Sequence, residues 1–157
     1  MMETINANYL DNEKFLEVID RVPLVSLDLI INDSQNRILM GKRTNAPAKG
    51  KWFVPGGRIY KNETLDCAFE RICLAEIGIR HSLNQAKLVG AFTHIYNTNI
   101  FEAQGVSTHY VVLGYQFNMD TKISLEKNEQ HAHFKWFSKN DIDEDIHENS
   151  LEYFNYS

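Results

Sequence analysis

The stretch from Gly56 to Ile79 constrains this chain most. Gly56-Gly57 opens a short loop, Thr64 leads into a helix of about four turns, and Gly78 ends it. On a wheel at about 100° per residue, Leu65, Ala68, Phe69, Ile72, Cys73 and Ala75 form one apolar face, and Glu76 falls near its centre. A buried, unpartnered carboxylate is costly. Glu76 is therefore expected to meet a cation, a metal or a donor, unless the last turn bends it into water. The glycine pair favours the first reading, because a backbone without Cβ atoms can approach an anionic ligand or turn a carbonyl toward a metal. Five residues separate Gly57 from Glu63, seven separate Glu63 from Arg71, and Glu76 and Gly78 follow.

The rest of the chain reads as strands around this helix. Asn8 to Ile19 suggests a short amphipathic arm, about 8–20, with Phe15, Val18 and Ile19 on one side and Pro23 ending it. Leu24 to Ile31 is a mostly buried strand, and the turn cluster at 32–36 predicts that 37–41 returns as its hairpin partner. Lys42 to Gly50 reads as a loop, and Trp52 to Pro55 as a short strand entering the glycine pair. Ala86 to Tyr96 and Ser107 to Met119 are long strand candidates, and Phe134 to Phe137 is a last one. Ser138, with Asp141 three residues on, is expected to cap a terminal turn or helix. With 157 residues and neither repeat nor linker, one α/β domain with a mixed sheet is expected over 1–157.

Composition excludes some functions. A net charge of -5 argues against a nucleic-acid groove, though a few local arginines can still hold a nucleotide. Cys67 and Cys73, six apart on the same helix, match neither a redox pair nor a zinc spacing. The most apolar run, Val22 to Ile31, is broken by Pro23, Ser26 and Asp28 and is too short for a bilayer. No basic flank with an apolar run opens the sequence, so a cytoplasmic protein without a membrane partner is expected.

The Gly-Gly, Glu63, Arg71, Glu76, Gly78 pattern resembles the Nudix box, the metal-pyrophosphate cassette of that hydrolase family, with two carboxylates replaced. Ile72 stands where a Glu follows the arginine, and Ala75 where the first of a closing Glu pair belongs. With these departures the chain resembles the GDP-mannose mannosyl hydrolase branch of the family. That resemblance is carried further by 23–28, 41–45, 52–58, 108–114 and Glu129-Gln130-His131. It implies a Nudix-type α/β/α sandwich with a mixed β-sheet, a homodimer, and hydrolysis of GDP-mannose, with GDP-glucose as a second candidate. Water would attack the anomeric carbon with inversion, releasing GDP.

Position by position, the resemblance implies Mg²⁺ held by the Gly56 carbonyl, Glu76 and Gln130, which suits an ion that prefers hard oxygens and few protein ligands. It implies His131 as general base, a role open to an imidazole titrating near neutrality. Arg43 and Arg58 would clamp the diphosphate with planar guanidinium forks; alone, either reads as a surface arginine. Asp28, His94 and Tyr110 would contact substrate, and Tyr9, Leu10 and Phe15 would meet the base. Each also has a plainer reading as a packing or satisfied polar group. Arg71 more naturally orients the acids than touches substrate. Competing readings are a pyrophosphohydrolase releasing GMP and sugar phosphate, a non-catalytic nucleotide-sugar sensor, and a zinc site at His131 and His133.

Overall fold

The computed structural model describes residues 10–120 and 131–156, with only the backbone of 131 and 132. Asp11 caps the first described helix, α1 (Asn12–Arg21), by accepting from the Lys14 N–H at 2.8 Å. That cap starts the helix at Asn12, where the sequence suggested 8. Phe15 and Val18 are partly buried and Ile19 buried, so the inward side is as expected.

Strand β1 (Leu24–Asn32) runs through the centre of a mixed sheet. It pairs in parallel with β6 (Thr108–Asn118) along its whole length, from Leu24 opposite Tyr110 to Asn32 opposite Asn118. Beyond β6 lies the antiparallel β5 (Lys87–Tyr96). The other edge of β1 is divided. Asn32 pairs with Ile38 at the start of β2 (Ile38–Arg43), while Ser26, Leu27 and Asp28 pair with Arg58, Gly57 and Gly56 of β4 (Gly56–Arg58). The expected hairpin therefore closes only at its base. β2 instead pairs along its length with β7 (His131–Phe137), and at Gly41 and Lys42 with β3 (Trp52–Phe53). The glycine pair, read from sequence as a loop, is itself a strand, because the departure of β2 leaves the first half of β1 an open edge.

Alternation along β1 sorts the core into two layers. Leu27, Leu29 and Ile31 face α2 (Leu65–Ile77) with Phe69, Ile72, Cys73, Tyr115 and Phe117. Ile30 faces the opposite layer, where Ile38, Met40 and Phe137 pack on Tyr153 and Phe154. Those two come from a C-terminal segment of α3 (Glu148–Leu151) and the 3₁₀ turn Glu152–Tyr156. Helices on both faces make the expected α/β/α sandwich. Thr64 caps α2 by accepting from the Cys67 N–H at 3.2 Å, and Gly78, at φ 70°, closes it in the left-handed region. Leu65 and Ala75 fall off the buried face that the wheel gave them, while Ile77 joins it. Ser138 caps only a turn, through the Asn140 N–H at 3.1 Å. The terminal helix starts later, at a His147 cap. No described helix is long and apolar enough to cross a membrane.

Phe69 is fully buried and meets Tyr115 and Phe117 edge-on, with centroids 5.8 and 5.7 Å away. Phe69→Ala should destabilise the fold by about 3–5 kcal/mol, measured by chemical denaturation. A loss under about 1 kcal/mol would mean that α2 does not anchor this layer.

Candidate active site

A cavity of about 490 Å³ opens beside the β1–β4 pairing. Its walls combine the end of α2, the facing side of β1, β5 and β6, the loop that begins after β5, and the start of α1. Strand register explains the grouping. Asp28, Gly114 and Gly90 form one cross-strand row with Gly56, Ser26, Val112 and Phe92 form the next with Arg58, and Leu24, Tyr110 and His94 the third. Rows on one face of a sheet point the same way.

Glu76 is only 6 % exposed, and its Oε1 accepts from the Gly56 N–H at 3.2 Å. The carboxylate that the wheel placed in the apolar face is thus folded under the glycine pair. Gly56 has to be glycine: a Cβ there would collide with the Leu27 carbonyl oxygen and lie 2.7 Å from Asp28 Oδ1. A carboxylate beside a glycine backbone offers hard-oxygen donors of the kind Mg²⁺ takes, and Glu76 and Gly56 are the residues that would hold it. Gln130 lies outside the described residues, as does Tyr9. No group of three or more His, Cys, Asp or Glu side chains among the described residues is arranged for a metal. His133 is exposed.

The arginines divide by role. Arg71 makes a two-pronged bond to Glu63, 2.6 Å from Nε and 2.9 Å from Nη2, and donates to the Arg58 carbonyl at 2.8 Å. Glu63 also accepts from the Tyr60 N–H at 2.9 Å, so helix and loop are tied by one ion pair. These bonds and the Arg71 guanidinium hold the Glu63 carboxyl below its ordinary range despite the opposing effect of burial. Arg58 extends over the rings of Phe15 and Tyr60, 4.6 and 5.0 Å from their centroids. Arg43 ends β2, lies 5.6 Å over the Phe53 ring and donates to the Asn45 and Ala46 carbonyls. After a bulge in β2, its backbone pairs with His131 at the start of β7. The side chain of His131 is outside the described residues.

Asp28, Tyr110, His94, Phe15 and Leu10 all line the cavity. Burial lifts the Asp28 carboxyl to about 7, with the neighbouring Glu76 charge adding to the effect; a Tyr153 hydroxyl bond at 2.6 Å and the Arg43 charge oppose it. Burial also raises the Tyr110 hydroxyl, offset by Arg43 and Arg58. It pushes His94 down to about 4, with His147 contributing, so this imidazole stays neutral. His94 is 4 % exposed, and its Nε2 has no partner among the described residues.

Sequence reasoning missed several wall residues. Tyr96 follows His94 by two on β5, and Tyr60 follows Arg58 by two, so alternation was a usable signal for both. Phe101 had none. Its position depends on fully buried Asn99, whose amide donates to the Ala103 and Val106 carbonyls and accepts from the Phe101 and Ala103 N–H groups. That loop sets Phe101 edge-on to Phe15, with centroids 6.0 Å apart.

This arrangement, a glycine strand tied to a helix carboxylate beside a cationic cleft, agrees with comparison to known proteins. The family model described as the NUDIX domain matches residues 22–155. A Haloferax volcanii protein, low-salt glycan biosynthesis protein Agl8, is 36% identical over 127 residues, covering 80% of this chain and 78% of that one. Among solved structures, a MutT NUDIX hydrolase from Burkholderia pseudomallei superposes with a TM-score of 0.70 at 26% identity, over 87% of this chain and 98% of that one. The NUDIX domain of Shewanella oneidensis NrtR, complexed with ADP ribose, gives 0.64 at 18% identity over 99% and 96%. The chain belongs to the Nudix family. Hydrolases of that family act on nucleoside diphosphate derivatives, generally with divalent metal ions.

The raised Asp28 pKa has a thermodynamic signature. Between the ordinary carboxylate range and about 7, the folded chain keeps a proton that the unfolded chain releases. Stability should therefore fall as pH rises through that window, by at most about 1.4 kcal/mol per unit. Denaturation of wild type and Asp28→Asn in metal-free buffer from about pH 4.5 to 7.5 should show the wild type losing ground. Parallel pH profiles would contradict the assigned burial.

Proposed function

We propose that this chain hydrolyses GDP-mannose to GDP and mannose, by attack of water on the anomeric carbon with inversion. The observation that carries the reading is the composition of the α2 wall. Of the α2 residues lining the cavity, Arg71, Ile72, Ala75 and Glu76, only Glu76 is acidic. Ile72 and Ala75 occupy the positions at which the ordinary box carries carboxylates. Ile72 is also committed to packing, because a Cβ on Gly57 would sit 3.2 Å from its Cγ1. Attack at phosphorus relies on several carboxylates to assemble metal ions and prepare water. Attack at carbon needs a base near the sugar and cations on the departing diphosphate.

In this reading the water oxygen bonds to the anomeric carbon as the bond from that carbon to the β-phosphate oxygen breaks. GDP leaves with the electron pair, and His131 takes the proton from water. Arg43 and Arg58 neutralise charge growing on the diphosphate. Mg²⁺ held by Glu76, the Gly56 carbonyl and Gln130 would supply further positive charge there. Asp28, His94 and Tyr110 meet the substrate around the reacting carbon, and Tyr9, Leu10 and Phe15 meet the guanine. Agl8, by its name a glycan biosynthesis protein, supports a nucleotide-sugar substrate. GDP-glucose as a second substrate, a homodimer and a cytoplasmic location belong to the same reading.

Incubation with GDP-mannose and Mg²⁺, followed by chromatography, should give equal amounts of GDP and mannose. GMP with mannose 1-phosphate would establish the pyrophosphohydrolase instead, and saturable binding without turnover the sensor. His131→Gln should lower kcat by roughly 10²–10⁴ with little change in KM. Unaltered turnover at saturating substrate removes His131 from its role. Glu76→Gln should raise the Mg²⁺ concentration needed for half-maximal rate; an unchanged requirement would show that the ion is held elsewhere.

A further inference from the structure

We propose that Tyr153 is a positioning residue for the site, fixing one oxygen of the Asp28 carboxyl so that the other is presented to the sugar. Tyr153 is fully buried, 125 residues from Asp28 in sequence, and its hydroxyl donates to Asp28 Oδ2 at 2.6 Å. Oδ1 lies on the Gly56 side, 2.7 Å from where a Cβ on Gly56 would stand. Among the described residues, no hydrogen bond to Oδ1 accompanies the one at Oδ2. One oxygen is engaged by the protein, and the other is an acceptor at the edge of the cavity.

The surroundings are built to hold this arrangement. Gly114 is the β6 neighbour of Asp28 in register, and a Cβ there would lie 3.5 Å from Tyr153 Cε1, 3.1 Å from Phe92 Cε2 and 3.2 Å from Ile30 Cδ1. The missing side chain admits the tyrosine ring beside the strand. Phe92 meets that ring edge-on, with centroids 5.2 Å apart at 89°. A tyrosine held on both sides cannot swing its hydroxyl away, so the carboxyl plane of Asp28 is set by the core rather than by solvent.

Two further contacts of the same segment reach other parts of the site. Ser150 Oγ accepts from the Val54 N–H at 3.0 Å, two residues before Gly56, and Asn149 Nδ2 donates to the Tyr96 hydroxyl at 3.1 Å. Val54 and Tyr96 both line the cavity. Residues 149, 150 and 153 thus brace β5, the approach to the glycine strand and β1. The Tyr153 contact differs in ending on a carboxyl group whose second oxygen is left to the cavity. A fixed acceptor of this kind suits a hexose hydroxyl, because a hydrogen bond to it depends on where that hydroxyl points.

The inference rests on the reading above only in taking a nucleotide-linked sugar as the group that Asp28 meets. The test is a double-mutant cycle of wild type, Tyr153→Phe, Asp28→Asn and both together, with kcat and KM for GDP-mannose and affinity for GDP. Tyr153→Phe should lower kcat roughly ten- to hundredfold and leave GDP affinity unchanged. Added to Asp28→Asn, it should produce no further loss, since its target is already altered. Full turnover in Tyr153→Phe, a matching loss of GDP affinity, or losses that multiply in the double variant would overturn the proposal; multiplying losses mark general loosening. If the wild type releases GMP from GDP-mannose, the reading of the reaction fails, and the same cycle on that reaction still decides Tyr153. If the wild type binds without turnover, the cycle is read in affinity for GDP-mannose relative to GDP, with the same outcomes.

Discussion

The three-residue pairing of β1 with β4 is the contact on which the site depends. It exists because β2 leaves β1 after a single register pair, at Asn32 and Ile38, and so exposes the edge of Ser26, Leu27 and Asp28. Filling that edge with Gly56 and Gly57 brings a bare backbone against the strand, where a side chain on Gly56 would strike Leu27 and Asp28. It also sets the Gly56 N–H over the last turn of α2, where Glu76 waits as acceptor. The same pairing therefore supplies an open edge with a partner, gives a buried carboxylate a donor, and places Asp28 and Glu76 within electrostatic reach of each other.

Two clamps keep the pairing in place from opposite sides. On the α2 side, Arg71 bonds to both oxygens of Glu63 and to the Arg58 carbonyl, fixing the exit of β4. Charge-assisted bonds of this type contribute about 1.5–3 kcal/mol each. On the opposite side, the C-terminal segment grips Val54 and Asp28 through Ser150 and Tyr153. The cationic residues Arg43 and Arg58 stay at the cavity, stacked over aromatic rings rather than tied to carboxylates in these contacts. Held acids and ring-stacked cations together line a cleft suited to an anionic group with a polar appendage.

The sequence made the helix legible because α2 obeys local rules: a threonine cap, apolar spacing and a left-handed glycine. The long strands β5 and β6 were equally plain from β-rich composition, and the helix-centred pattern located Gly56, Glu76 and Arg71. The strand character of the glycine pair was not legible, since nothing near Gly56 reports that β2 vacates the edge of β1. Likewise the wheel assigned Leu65 and Ala75 to the core because it treats the whole face as covered. The sheet covers only the part holding Ala68, Phe69, Ile72, Cys73 and Ile77. Tyr153 and Phe101 were invisible for a different reason. Their positions come from a tertiary contact across 125 residues and from the hydrogen bonds of a buried asparagine in a loop. Neither leaves a periodic trace in sequence.

In the proposed reading, an α2 wall with Ile72 and Ala75 beside Glu76 belongs to a site that grips a diphosphate while the bond that breaks belongs to the sugar. The position of oxygen incorporation tests that claim most directly. When GDP-mannose is turned over in ¹⁸O-enriched water and the products are analysed by mass spectrometry, the label should appear in mannose and be absent from the nucleotide. Label in a phosphate-containing product would place the attack at phosphorus and contradict the account.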